Sequence, residues 1–127
     1  QKPPCGVASP FLLSSNMNSR EKGKRGERLW RDELIKHGYE RSRRGQQFSG
    51  NEDSPDVICE DLPHLHFEVK YTQRLELEKA IAQAADDCGN KLPIVASYRT
   101  GGSLKQWVVS MPASVFFNLM KEKNNAK

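Results

Sequence analysis

The chain has 127 residues, of which 36% are hydrophobic and 28% are charged, and its formal net charge is +4. This length suits one domain with a modest core, and the composition is that of an ordinary globular protein. No apolar run approaches the ~20 residues that a membrane-spanning helix needs, so we expect no membrane insertion.

Cysteine and histidine usage gives little sign of a structural metal or a disulfide framework. Cys5, Cys59 and Cys88 are odd in number, far apart and without a CxxC spacing, which favours a reducing cytoplasm. His64 and His66 could be metal ligands two residues apart on a strand. We favour two polar residues on one strand face, because no further Cys or His lies at zinc spacing.

Charge is distributed unevenly along the chain. Residues 20–44 contain ten Lys or Arg against five Asp or Glu, whereas residues 51–61 contain five acidic residues and no Lys or Arg. A basic block beside an acidic segment suits a protein that binds a polyphosphate and holds a divalent cation. A solvated surface of mixed charge would look similar, so both interpretations stay open.

Three parts of the chain are distinguished by composition. Residues 1–17 are predicted to be a leader or disordered extension, because Met17 is a candidate natural start. The folded domain is expected to span residues 18–121, and the polar residues 122–127 are expected to form a frayed tail.

The first predicted helix runs from Gly26 to His37. Trp30 and Leu34 share one face, and Gly38 follows the last turn as a stop signal. Glu27 lies on that inward face, so its carboxylate is expected to have a partner or a cation. A plain N-terminal acid, favoured by the helix dipole, is the alternative.

A loop and two strands are predicted next. The segment Arg41–Gly50 is basic and glycine-bounded, as expected of an exposed loop. Strands follow at Val57–Cys59 and Leu65–Tyr71, and the second strand alternates, with one face formed by Leu65, Phe67, Val69 and Tyr71 and the other by His66, Glu68 and Lys70. Antiparallel pairing that buries the apolar face places Asp56 opposite Glu68, whereas a slip by one residue would split that face.

The rest of the chain completes a mixed α/β pattern. An amphipathic helix is predicted over Leu77–Cys88, followed by strands at Pro93–Arg99 and Lys105–Ser110. A last helix with Pro112 in its first turn is expected to pack inward through three apolar residues, Phe116, Phe117 and Met120. This order predicts an α/β fold in which a mixed central sheet is flanked by helices.

The hairpin gathers the residues that carry chemistry. Directly opposed carboxylates have Cβ atoms about 5 Å apart and repel unless a cation bridges them or one is protonated. Asp56 and Glu68 fit that description, and Mg²⁺ usually takes one or two carboxylates with waters and a phosphate. Lys70 shares the face of Glu68 and can orient a water or offset charge on a phosphate. A plain ion pair between Glu68 and Lys70, worth ~0–1 kcal/mol, is the alternative.

These residues match a known signature. Ser54-Pro55-Asp56-Val57, followed by His66-Phe67-Glu68-Val69-Lys70, resembles the PD-(D/E)xK nuclease motif. Upstream, Gly23-Lys24-Arg25-Gly26-Glu27-Arg28 resembles the opening of archaeal-type and phage Holliday-junction resolvases. The resemblance covers roughly residues 18–121 and implies a restriction-endonuclease-like fold.

The resemblance also implies a function and a set of site residues. Family members cut the DNA backbone with Mg²⁺ (Mn²⁺ is a possible substitute) and act as homodimers on branched DNA, which would place this protein in a bacterial or phage-infected cell. The matching positions are the metal-binding Glu27, Asp56 and Glu68 and the water-assisting Lys70. We add the Val69 carbonyl as a hypothetical metal ligand, and Gln83 lies where related nucleases have a supporting polar residue.

Candidate DNA contacts come from the basic segments. The phosphate-binding candidates are Lys24, Arg25, Arg28, Arg41, Arg43 and Arg44. Side-chain hydrogen bonds to backbone oxygens are expected from Gln46, Gln47 and Ser49. Each basic residue taken alone is more often solvated surface, and only the group favours DNA.

Other functions compete with the resolvase. One is a nicking or restriction-like nuclease on duplex or flapped DNA, and another is a non-catalytic DNA-binding module of the same fold. An RNA-binding domain would need stacking aromatics on an open sheet face. Phe67 and Tyr71 lie opposite the acidic face and are predicted to be core, which disfavours RNA.

Overall fold

The structure is a computed structural model that describes residues 5–45 and 56–125, with side chains described for 20–45 and 56–122. Its elements in chain order are α1 (Cys5–Lys36), β1 (Ser42–Arg44), β2 (Val57–Cys59), β3 (Leu65–Thr72), α2 (Leu77–Asp87), β4 (Leu92–Arg99), β5 (Val108–Ser110) and α3 (Ala113–Asn125). The strands form one sheet in the order β1-β2-β3-β4-β5. Strands β3 and β4 are parallel and every other neighbouring pair is antiparallel. This confirms the predicted mixed sheet flanked by helices.

The two faces of β3 pack against different helices. On one face, Phe67 and Val69 join Trp30 and Leu34 of α1 in the main core. On the other face of the sheet, Ala80 and Ala84 of α2 pack against Val95 of the neighbouring strand β4. This division follows from the alternation of side chains along a strand. None of the helices in the described part of the chain is long and apolar enough to cross a membrane.

The predicted hairpin register is confirmed. Val57 pairs with Phe67, and in the same register Asp56 stands opposite Glu68. The N–H of Asp56 donates to the carbonyl of Phe67 at 3.2 Å, so the pairing extends to the acidic residue. The register that buries the apolar face therefore brings Asp56 to the level of Glu68, as the alternation predicts.

The basic segment after α1 is not wholly a loop. Residues Ser42–Arg44 form β1, an edge strand that pairs antiparallel with β2. Ser42 is buried, and its hydroxyl donates to the carbonyl of Tyr39 at 2.7 Å. The one buried side chain of β1 is a serine rather than an apolar residue. The sequence therefore shows no alternation of apolar and polar residues that would predict a strand here. The remaining loop residues, 46–50, lie outside the described part of the chain.

The ends of the predicted helices also differ from expectation. Helix α1 begins at Cys5, well upstream of Gly26, and α3 presents a different face to the core. Val115 is buried and Leu119 packs against the core, whereas the three apolar residues expected inside are exposed: Phe116, Phe117 and Met120. Val115 and Leu119 are four residues apart and share a helix face, so the adjacent phenylalanines must point elsewhere.

Candidate active site

Close packing of α1 on β3 positions the first acidic residue. Gly26 is buried in α1, and a Cβ atom at this position would overlap the Cβ of Tyr71 on β3. Glycine therefore allows the helix backbone to approach the strand. Glu27, the next residue, is held beside the sheet with only 18% of its side chain exposed.

Asp56 interacts electrostatically with both of the other acidic side chains. Its Oδ2 accepts the main-chain N–H of Val69 at 2.8 Å, which fixes the carboxylate against β3. Burial raises the pKa of both Glu27 and Glu68, and the negative charge of Asp56 raises both further. The three predicted acidic residues are therefore electrostatically coupled around Asp56, although they come from a helix and two strands.

Glu68 has the most perturbed carboxyl group of the site. Only 7% of its side chain is exposed, and burial, followed by repulsion from Asp56, raises its pKa to about 7. Asp87 of α2 contributes to the rise, whereas Lys70 opposes it. At neutral pH both the protonated and the ionised form of this carboxyl are therefore populated, as expected where carboxylates converge without a bound cation.

Lys70 connects the acidic site to α2. Its Nζ lies 3.6 Å from Oε2 of Glu68 and donates to Oε1 of Gln83 at 3.4 Å. The structure thus brings together the lysine and the glutamine that the resemblance singled out. With a third of its side chain exposed, the ammonium of Lys70 is open to a ligand as well as to its two protein partners.

An arginine that we expected at the DNA surface instead belongs to the acidic site. Nε of Arg44 on β1 donates to Oε1 of Glu27 at 3.1 Å. Burial and Asp56 raise the pKa of Glu27, and the hydrogen bond and charge of Arg44 oppose that rise. The sequence does not reveal this pair, because the two residues are far apart in the chain and β1 has no recognisable strand pattern.

The donor set suits a hard divalent cation. Among the described side chains, no group of three or more His, Cys, Asp or Glu residues is close enough together to hold a metal ion. Mg²⁺ does not need such a group, since it usually binds one or two carboxylates and fills its shell with waters and substrate phosphate. Asp56 and Glu68 supply such a pair, and Val69 lies next to both in the sheet.

The other predicted DNA contacts divide into three groups. Arg41 pairs with Asp61 at 2.9 Å, and Arg43 pairs with Glu60, so carboxylates offset both guanidinium charges. Three basic residues of α1 lie near Glu27 in the chain. Arg25 and Arg28 are exposed, and Lys24 is partly exposed. The Nζ of Lys24 lies 3.9 Å from the carboxylate of Glu21. The three polar residues Gln46, Gln47 and Ser49 lie outside the described part of the chain.

The two histidines do not share a strand face. His64 precedes β3 and lies 3.8 Å from Glu122, whereas His66 is 2% exposed within β3. Burial lowers the pKa of His66, Asp87 opposes that effect, and Lys91 adds to it. The Nε2 atom of His66 has no hydrogen-bond partner among the described residues. A neutral, buried imidazole of this kind is part of the packing under α2.

The chain was compared with known proteins in three ways. A scan against protein-family models, a search of curated proteins and a search of solved structures each returned no match. The fold and the site define the protein as a mixed α/β domain with a coupled acidic cluster and one adjacent lysine. The resemblance to PD-(D/E)xK nucleases therefore rests on the sequence motif and stays a prediction.

Proposed function

We propose that the protein is a Mg²⁺-dependent endodeoxyribonuclease that hydrolyses backbone phosphodiesters. The observation that carries the proposal is the convergence of Asp56, Glu68 and Lys70 on one hairpin, with Glu27 of α1 coupled to Asp56. A structural ion pair accounts for Glu68 and Lys70 alone. It does not account for Asp56, which repels Glu68, or for Glu27, which Asp56 repels in turn.

The side chains divide the work of hydrolysis. Asp56, Glu68 and the Val69 carbonyl would hold the cation, with Glu27 as a further ligand. When bound, a divalent cation supplies Lewis-acid stabilisation of the phosphate charge and an activated water nucleophile. Lys70 orients the attacking water and offsets negative charge that develops on the phosphate. Gln83 holds Lys70 in place through its amide oxygen.

The substrate we propose is branched DNA, with the Holliday junction first, and the acting species a homodimer in the cytoplasm. Two copies of the site would be needed to cut both strands of a four-way junction symmetrically. Exposed apolar side chains on α3 offer a self-association surface, which consists of Phe116, Phe117 and Met120. The described cysteines, Cys59 and Cys88, are free thiols, as suits a reducing compartment.

Cleavage of labelled DNA tests the nuclease activity. Wild-type protein is incubated with four-way junction, flap and linear duplex DNA, in Mg²⁺ and in EDTA. We expect cutting only with Mg²⁺ and preferentially at the junction. Asp56→Asn and Glu68→Gln are expected to lower the cleavage rate at least about a thousandfold, because each removes a cation ligand.

A matched control separates loss of chemistry from loss of charge. Asp86→Asn removes an exposed carboxylate on α2 and is expected to cut at the wild-type rate. Equal cutting of all three DNAs would favour a nicking or restriction-like enzyme over a resolvase. Binding without cutting by the wild type would leave a non-catalytic DNA-binding module and refute the nuclease proposal.

A further inference from the structure

A cleft lies next to the acidic site, on the side away from α1. It occupies about 260 Å³ between the end of β3, the β3–α2 connection and the first turns of α2. Lys70 and Gln83 form one part of its wall, so the cleft shares these two residues with the acidic site. A polymer bound at Asp56 and Glu68 would pass its mouth.

The wall of the cleft is positively charged. Lys70, Arg74 and Lys79 line it, against a single acidic residue, Glu76. Among the described side chains, neither Arg74 nor Lys79 lies within ion-pair distance of a carboxylate. These two cations differ in this respect from Arg41, Arg43 and Arg44, each of which pairs with a carboxylate of the protein.

Main-chain donors at the start of α2 face the same region. The first bond of the helix runs from the N–H of Ala80 to the carbonyl of Glu76 at 3.0 Å, and the Glu76 side chain makes no capping hydrogen bond. The preceding N–H groups of a helix have no partner within the helix and carry partial positive charge. They therefore add anion-binding capacity to the cationic side chains.

We propose that this cleft binds the backbone phosphate that neighbours the scissile one on the same DNA strand. The proposal rests on the proposed function, since it names where the substrate continues beyond the acidic site. Arg74 and Lys79 provide the charge, the α2 terminus provides main-chain donors, and Lys70 marks the boundary with the site of cleavage. Neither Arg74 nor Lys79 is among the DNA contacts predicted from the sequence.

Salt-dependent binding tests the cleft without requiring cleavage. The double variant Arg74→Gln/Lys79→Gln is compared with wild type for binding to junction and duplex DNA in EDTA at several salt concentrations. We expect roughly tenfold weaker binding and a salt slope smaller by about 1 to 2, as for the loss of one or two phosphate contacts. Lys105→Gln/Lys121→Gln removes two exposed lysines elsewhere and is expected to keep the wild-type slope.

A charge-preserving variant guards against a purely structural effect. Arg74→Lys/Lys79→Arg is expected to restore the salt slope, and far-UV circular dichroism checks that all variants are folded. A wild-type slope in the charge-removing variant, or a wild-type protein without salt-dependent DNA binding, overturns the cleft assignment.

The two proposals fail separately. If wild type cuts DNA but the cleft variant keeps the full salt slope, the nuclease stands and the cleft assignment falls. If no DNA is cut but the slope is reduced, the cleft binds DNA and the nuclease proposal falls.

Discussion

At the scale of single residues, the ionised form of Glu68 is destabilised by the site in which it lies. Its pKa is raised to about 7 from an ordinary value of 4.5, mainly by burial and then by Asp56. When the pKa of a carboxyl is higher in the folded state than in the unfolded state, the protonated carboxyl favours folding. This contribution is complete at pH values below the pKa in the unfolded state, and it is lost as the pH rises through the pKa in the folded state. The free energy of unfolding without metal should therefore fall between pH 4.5 and pH 8 because of this group.

Glu68→Gln should remove this pH dependence. The variant keeps a neutral side chain of similar shape, so we expect its stability relative to wild type to rise by about 2 to 3 kcal/mol between pH 5 and pH 8. Urea unfolding in EDTA at the two pH values measures the change. Glu78→Gln, an exposed glutamate on α2, is the control and should follow the wild-type profile. Parallel profiles for wild type and Glu68→Gln would contradict the raised pKa.

Arg44 should compete with metal for Glu27. Its side chain hydrogen-bonds that carboxylate, so replacing it removes a positive charge from the acidic cluster. We expect Arg44→Gln to bind Mg²⁺ roughly fivefold more tightly, equivalent to about 1 kcal/mol, as measured by calorimetric titration. Arg43→Gln, which loses a partner outside the cluster, is the control. Weaker Mg²⁺ binding by Arg44→Gln would instead mean that the arginine organises the ligands.

At the scale of elements, the contact between α1 and β3 depends on a missing side chain. Helix propensity alone predicts that Gly→Ala stabilises a helix by up to ~1 kcal/mol. At Gly26 an added methyl would overlap Tyr71, whereas at Gly23 nothing lies within 4 Å. The same substitution should therefore have opposite effects at two positions of one helix.

Thermal and urea unfolding of the two variants test this contact. Gly23→Ala is expected to be neutral or stabilising by up to ~1 kcal/mol, and Gly26→Ala destabilising by about 1 to 3 kcal/mol. Because Gly26→Ala pushes Glu27 away from Asp56, it should also lower the cleavage rate, while Gly23→Ala should not. Equal stability of both variants would show that α1 can shift without cost.

At the scale of the whole molecule, the exposed apolar side chains of α3 predict self-association. Phe117 is 60% exposed and contacts only its neighbour Phe116 among the described aromatic rings. Phe117→Lys should shift the protein from dimer to monomer in analytical ultracentrifugation without changing its circular dichroism. Asn118→Lys, on the same helix and also exposed, is the matched control. A wild-type protein that sediments as a monomer at tens of micromolar would refute the dimer.

Much of the fold around the site could be predicted because it rests on local periodicity. The strict alternation of Leu65–Thr72 and the apolar pair Val57 and Cys59 leave one register that buries both apolar faces, and that register places Asp56 opposite Glu68. Helix α2 could also be predicted from the sequence. It starts at Leu77, and it is followed by a turn at Gly89, where the positive φ of 61° suits glycine.

Other features required the tertiary structure, since they depend on which elements meet. Strand β1 has only three residues and a serine on its inward side, so its pairing with β2 left no hydrophobic pattern to read. Once β1 is in place, Arg44 reaches Glu27, and the assembled cluster raises the pKa of Glu68. The sequence by itself determined which carboxylates share a hairpin, because side-chain alternation is a local property. Their burial, their partners and the basic cleft beside them were decided by packing between distant segments, which no local pattern encodes.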